Sequence, residues 1–243
     1  MLQSGPEIPE GCGTAGAARS WRRASDLPRL ALAAEFLVLF VAGPVAYFLV
    51  VRGPGMLFPA LWAFCFYTLA ILLLDPSFER RSLWRAGAMR RELARIVVTF
   101  AVLGAMLTAA VAIYDRVVAG PSILFSMVRE RPTLWIVIMI VYPLVSVYPQ
   151  EIIWRTFMFH RYARLFGSRG LMIVASALAF GHAHIAFHNW LAVGLCIVGG
   201  VLFARTFARS RSTLAAWIDH ALYGCLVFSV GLGHFFYSGA VHL

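Results

Sequence analysis

Long apolar stretches are the feature that most limits the folds open to this chain. A helix needs about 20 mostly apolar residues to cross a bilayer. Seven stretches meet that need, and polar segments separate most of them. The sequence therefore predicts an all-α fold, a polytopic transmembrane helix bundle of about seven spans. The stretches cover roughly residues 30–51, 56–74, 96–114, 133–153, 171–188, 189–207 and 214–237.

The composition agrees with a membrane domain. Hydrophobic residues make up 61% of the 243 residues and charged residues only 13%, whereas soluble domains are about 45–50% apolar and about a quarter charged. A water-soluble fold of this length could not bury so much apolar surface. We expect one membrane domain at residues 29–243. Residues 1–28 are rich in Gly, Pro, Ser and Ala and are predicted to be a disordered tail.

The positive charge predicts an orientation. All 21 basic residues are arginines, and most lie in short segments between the apolar stretches. We therefore attribute the charge to membrane topology and expect lipids, not nucleic acid, as partners. With the N-terminus inside, 17 arginines fall on the inner side and four on the outer side. The positive-inside rule favours that arrangement, which we interpret as a multi-pass protein of a bacterial cytoplasmic membrane.

Ionisable residues inside spans carry most of the functional information, because each is energetically costly there. Glu151 and Arg155 lie four residues apart on one helix face at the end of the fourth stretch. They are either a buried ion pair that anchors this helix or a carboxylate held near a water molecule. Glu35 lies alone in the first stretch with no evident partner, and we interpret it as a structural or snorkelling group.

Histidines supply the other candidates. His182, His184 and His188 fall in the fifth stretch, either as packing residues or as ligands, since the last two lie one helical turn apart. Asp219 and His220 are adjacent in the last stretch, so their side chains point about 100° apart and do not make a simple dyad.

Together these groups predict hydrolysis of an acyl bond. A glutamate can take a proton from water, one histidine can orient that water, and another can stabilise an oxyanion. The chemistry requires Glu151, His184 and His220 to converge in one pocket. All three are also residue types that bind zinc, so a divalent metal such as zinc is a possible cofactor.

At this point the sequence resembles a known family. The order Glu-x-x-x-Arg (Glu151, Arg155), Phe-x-x-x-His (Phe180, His184) and a late histidine (His220) is similar to the CPBP intramembrane proteases. That group includes the type II CAAX prenyl endopeptidases and bacterial proteins of the abortive-infection or bacteriocin-immunity type. The resemblance covers residues 133–237 and implies a helical core whose active site opens to the inner side.

Two positions depart from the family pattern. The family's first motif is Glu-Glu-x-x-x-Arg, and its leading glutamate activates the water. In this chain that leading position is Gln150, which cannot act as a base, and the second glutamate is Glu151. The family's asparagine, four residues after the late histidine, is Gly224 here. Either Glu151 or His184 then takes over as the base, or the protein keeps the fold and has lost proteolysis. We predict Glu151 as the base or water-holding group, with Gln150 orienting it.

The same resemblance implies roles for the remaining residues. Arg155 would fix the carboxylate, His184 would share the water and His220 would stabilise the oxyanion. The expected protein is an intramembrane endopeptidase that cleaves a membrane-anchored peptide or protein substrate. Two alternatives stay open: a catalytically silent protein that binds a lipid-anchored or peptide partner, and a transporter that uses the same residues as a proton path.

Overall fold

The computed structural model describes residues 27–50, 54–118 and 120–236, and within these ranges every regular element is helical. The all-α fold is confirmed. Six helices are long and apolar enough to cross a membrane. The tail predicted for residues 1–28 falls almost entirely outside the described residues and stays a prediction. The six helices are α1 (Arg29–Val50), α2 (Leu57–Leu74), α3 (Ala86–Val117), α4 (Pro132–Arg161), α5 (Arg169–Phe187) and α6 (Trp190–Ser210).

A shorter helix, α7 (Thr213–Ser229), follows at the seventh predicted stretch. Its 17 residues span about 26 Å at 1.5 Å per residue, somewhat less than the roughly 30 Å hydrocarbon core. The stretch was predicted to run to residue 237, but Gly231 ends it sooner. Gly231 has φ +92°, and a Cβ there would meet the Ile123 carbonyl oxygen. The chain continues into a short 3₁₀ helix, Leu232–Phe236.

Helix α3 begins ten residues before the predicted third stretch. Residues 86–95 contain mostly good helix formers, so the helix continues past the apolar segment. Glu92 lies near this end and pairs with Arg95 at 2.8 Å and with Arg209 of α6 at 3.0 Å. The basic end of α3 is thereby fixed to α6.

The second half of α4 lies at the centre of the bundle. Residues 149–159 are all buried, and the segment Ile152–Phe157 contacts α2, α5, α6 and α7. A helix buried on all sides is one that other helices surround. Glu151 and Arg155 are therefore sheltered from lipid.

Small residues let α5 and α6 approach closely. A Cβ at Gly200 of α6 would lie 2.9 Å from the Cα of Ala177, and one at Gly181 would overlap Ile197. Close backbone contact of this kind is a common way for membrane helices to associate. The pair forms a hairpin, in which Asn189 accepts hydrogen bonds from the first amides of α6.

Glu35 has partners that the sequence analysis missed. Both of its carboxylate oxygens accept from Arg161, at 2.9 and 2.7 Å, and one also accepts from the hydroxyl of Tyr162 at 3.0 Å. The interpretation of Glu35 as structural agrees with this contact, but the absence of a partner was wrong. The pair joins α1 to the end of α4 across 126 residues of sequence.

Candidate active site

Helix α4 is locally widened on both sides of Glu151. Pro143–Val147 and Ile152–Phe157 are π-helical, a geometry that recurs at functional sites. Pro149 has no N–H to donate to the carbonyl of Val145, and the indole N–H of Trp62 donates to it instead at 2.9 Å. On the other side, the hydroxyl of Ser176 donates to the carbonyl of Trp154 at 2.7 Å. Side chains of α2 and α5 thus bond one carbonyl in each of the two widened segments.

Glu151 is fully buried and bonded to His220 of α7. The Nδ1 of His220 lies 2.8 Å from Oε1 of Glu151, and both residues are almost inaccessible to solvent. Beside the Arg155 cation we assign the Glu151 carboxylate as the acceptor of this bond and Nδ1 of His220 as its donor. In the neutral imidazole this leaves Nε2 as a proton acceptor.

Arg155 completes the charged cluster. Its Nε lies 3.3 Å from Oε2 of Glu151, and the side chain is entirely buried. The guanidinium lies over the ring of Phe180 at 4.5 Å and that of Phe203 at 5.5 Å. Cation–π contact with two rings offsets part of the cost of burying this cation.

Phe180 connects the cluster to His184. Its ring meets the His184 ring edge to face at 4.6 Å and the His220 ring at 5.4 Å. His184 begins the 3₁₀ segment at the end of α5, and its Nδ1 donates to the carbonyl of Phe180 at 2.7 Å. Its Nε2 is therefore also a proton acceptor in the neutral ring. Both histidines carry their proton on Nδ1 and leave Nε2 without one.

The other two histidines of the fifth stretch lie apart from this cluster. The Nε2 of His182 contacts the carbonyl of Val41 in α1 at 3.1 Å. The ring of His188 packs on Phe48. Of the three, only His184 contacts Phe180, the residue that joins the cluster.

Gln150 does not contact Glu151 through its side chain. Its Nε2 donates to the carbonyl and to the hydroxyl of Ser146, each at 2.9 Å. Its Oε1 is buried without a hydrogen bond among the described residues. The amide is thus fixed to its own helix, one turn before Glu151.

Gly224 faces Tyr142, which the sequence analysis did not single out. A Cβ at Gly224 would lie 2.4 Å from both Cε1 and the hydroxyl oxygen of Tyr142. The phenol ring therefore occupies the space into which any side chain at position 224 would project. The tyrosine fills this space only because residue 224 is glycine.

The candidate metal ligands do not fit a metal ion as they are arranged. Within the described part of the chain, no group of three or more His, Cys, Asp and Glu side chains is placed to hold one. One oxygen of Glu151 is bonded to His220, and the other faces the cation of Arg155.

Other contacts of the cluster could not be found from sequence motifs. Phe203 stacks on His220 with ring centroids 4.4 Å apart and planes inclined by 12°. Thr156 and Thr213 share a 2.6 Å hydrogen bond that joins α4 to the start of α7. A phenylalanine or threonine in an apolar span has no distinctive spacing.

Comparison with known proteins agrees with the motif order. Residues 132–226 match the family model described as type II CAAX prenyl endopeptidase Rce1-like. The matched range begins with α4, ends within α7 and contains Glu151, His184 and His220. No curated protein and no solved structure matches the chain. The chain is an integral membrane protein, and its resemblance to the CPBP intramembrane proteases is confirmed over residues 132–226.

Proposed function

We propose that this protein is an intramembrane endopeptidase that hydrolyses a peptide bond beside the membrane anchor of its substrate. The observation that carries the proposal is the buried Glu151–His220 hydrogen bond, with the Arg155 cation beside it. A carboxylate that orients an imidazole through Nδ1 is the arrangement by which many hydrolases prepare a general base. The family match adds that the relevant fold is that of a protease family.

The sequence analysis predicted Glu151 as the base and His220 as the oxyanion group. In the mechanism proposed here His220 takes the proton and Glu151 orients it, because one oxygen of Glu151 is bonded to His220 and the other faces Arg155. A water molecule gives a proton to Nε2 of His220, and its oxygen forms a bond to the substrate carbonyl carbon. The resulting imidazolium is stabilised by the Glu151 carboxylate. It then gives its proton to the amide nitrogen as the C–N bond breaks, leaving a carboxylic acid and an amine.

His184 and Arg155 support the same reaction. The free Nε2 of His184 can accept a hydrogen bond from the attacking water and so orient it. The buried Arg155 favours the negative charge that develops on the carbonyl oxygen, because charge interactions are strong where water is excluded. In this mechanism the side chain of Gln150 stabilises the helical turn that precedes Glu151, and it does not take part in proton transfer.

Reconstituted protein tests the proposal directly. Proteoliposomes would be incubated with two fluorogenic peptides of the same sequence, one anchored by a farnesylated cysteine and one by a transmembrane helix. We expect cleavage of at least one, and a loss of at least about 100-fold in the Glu151→Gln protein, the usual scale for general acid–base catalysis. Cleavage at the wild-type rate by Glu151→Gln would refute the assignment.

A second candidate, a catalytically silent protein that binds an anchored partner, is favoured by Gln150. Its amide is bonded to Ser146 and supplies no base. The Gln150→Glu variant separates the two. Activity in this variant alone would identify a silenced protease, whereas activity in the wild type supports the first proposal.

A further inference from the structure

A polar cavity of about 130 Å³ lies between α3, α6 and α7, lined by both charged and apolar side chains. A water molecule needs only about 10–15 Å³ of such volume, so the cavity can hold a group of several heavy atoms. The proposed proteolysis assigns it no role.

Positive charge predominates in this cavity. Three arginines line it, Arg95 from α3 with Arg205 and Arg209 from α6. Arg95 and Arg209 share Glu92, whereas Arg205 has no ion pair or hydrogen bond to any described residue. One carboxylate also lines the cavity, that of Asp219, and it accepts a 2.7 Å hydrogen bond from Thr206.

The balance of charges favours an anion. The three guanidinium groups have two carboxylates near them, that of Asp219 in the lining and that of Glu92, which pairs with Arg95 and Arg209. Guanidinium groups have several donors each and no acceptors. The unpaired Arg205 is the donor best placed to take a new acceptor. Guanidinium groups suit planar or tetrahedral oxyanions such as phosphate.

An apolar stripe continues from the cavity along both helices. On α6, Val198 lies on the same face as Arg205, seven residues before it, and its residue surface is 60% exposed. On α3, Val102 lies on the same face as Arg95, seven residues after it, and is 56% exposed. Because α3 and α6 enter the cavity from opposite chain directions, both valines lie on the same side of it. An anionic head at the arginines would have an apolar surface beside it for a hydrocarbon chain.

We propose that this cavity binds the phosphate group of an anionic phospholipid, with an acyl chain lying along Val102 and Val198. Basic pockets between transmembrane helices are known to bind the head groups of acidic lipids. Such a lipid would hold α3 against α6 and α7. Neither Glu151, Arg155 nor His220 lines the cavity, and lipid binding can be measured whether or not the protein cleaves peptides.

Native mass spectrometry of the detergent-solubilised full chain tests the proposal. The protein would be titrated with phosphatidylglycerol or with phosphatidylcholine of the same acyl chains. We expect phosphatidylglycerol to be retained preferentially. The Arg205→Gln variant should bind it about fivefold more weakly, which corresponds to about 1 kcal/mol for one arginine.

The matched control is Arg91→Gln, which removes an exposed arginine of α3 that does not line the cavity. It should leave phosphatidylglycerol binding unchanged. Equal weakening in both variants would show a general charge effect and overturn the site. Equal retention of the two lipids would overturn it as well.

A third arm distinguishes a lipid from free phosphate. Inorganic phosphate is added in excess to the phosphatidylglycerol complex. The proposal expects the lipid to remain bound, because the chain contacts are not available to free phosphate. Displacement of the lipid by this excess of phosphate would make this an ion site without a role for the acyl chain and would refute the lipid assignment.

Discussion

The imidazole of His220 and the carboxylate of Glu151 form a buried 2.8 Å hydrogen bond between α7 and α4. These residues are 69 positions apart in the sequence. The bond fixes the proton on Nδ1 of the ring and so defines which nitrogen can act as a base. In the proposed mechanism, stability and catalysis depend on different atoms of this imidazole, and substitutions can separate them.

The first prediction concerns His220→Asn and His220→Ala. The asparagine amide can replace Nδ1 as a donor to Glu151 but offers nothing at the position of Nε2. We expect both variants to lose activity by at least about 100-fold. Only the alanine variant should also lose about 1–3 kcal/mol of stability, because it leaves the buried carboxylate without its donor. Peptide cleavage and thermal unfolding in detergent measure the two effects, and an active asparagine variant would rule out Nε2 as the base.

The second prediction compares His184→Ala with His182→Ala. Only His184 shares the Phe180 ring with the charged cluster, whereas His182 contacts the carbonyl of Val41. We expect a loss of at least tenfold in the turnover number for His184→Ala and less than a twofold change for His182→Ala. Steady-state cleavage kinetics in proteoliposomes would measure both. A similar loss in the two variants would point to damage of α5 in general.

The third prediction concerns the stability of Gln150→Glu. A carboxylate at this position has no N–H to give to the carbonyl of Ser146 and would face it with an oxygen. The variant should therefore be less stable at neutral pH by about 1–3 kcal/mol. Gln150→Met, which removes the same donor without adding a charge, is the matched control and should cost less. An equal effect of the two substitutions would mean that the charge itself is tolerated.

The fourth prediction concerns Gly224 and Tyr142. In the native background Gly224→Ala should destabilise by about 1–3 kcal/mol, because the new Cβ overlaps the phenol ring. In a Tyr142→Ala background the same change should stabilise by up to about 1 kcal/mol through the higher helix propensity of alanine. Unfolding midpoints of the four proteins in this cycle give the coupling.

Gly194→Ala is the control for that cycle. A Cβ at Gly194 meets nothing within 4 Å, so this substitution should not destabilise either background. The idea of a direct Gly224–Tyr142 clash fails if Gly224→Ala costs the same with and without the tyrosine.

The fifth prediction concerns the contact between α1 and the end of α4. Glu35→Gln leaves Arg161 without its paired charge and should lower stability by about 2 kcal/mol, the usual scale for hydrogen bonds to charged groups. Arg161→Gln should cost a similar amount, and the double variant should cost less than the sum. Strictly additive losses in an unfolding assay would show that the pair does not interact.

The membrane fold could be predicted from the sequence because lipid imposes a simple rule on length and polarity. Residues such as Glu151 and His220 stood out for the same reason, since ionisable groups are rare inside spans. The partner of Glu35 could not be found, because Arg161 lies 126 residues away and nothing in local spacing relates them. Contacts between distant helices depend on packing, which one sequence does not encode in a visible pattern.

Helix ends were predicted less well than helix positions. The start of α3 lies among charged residues, where hydropathy gives no signal and helix propensity decides. The end of α7 depends on Gly231, whose backbone conformation follows from its contact with the Ile123 carbonyl. Tyr142 was missed because its ring fills the space left by the missing side chain at Gly224. No sequence motif relates a glycine to the residue that packs against it.

The widened turns of α4 also affect how a helical wheel of this span must be drawn. Each π-helical segment adds a residue to a turn and so rotates the residues on its two sides by about 100° relative to a regular helix. A wheel drawn through residues 132–161 without these two offsets assigns the wrong face to the residues beyond each π-helical segment. Deleting one residue within Pro143–Val147 would restore regular helical geometry there. Residues 132–142 would then present a different face to the lipid.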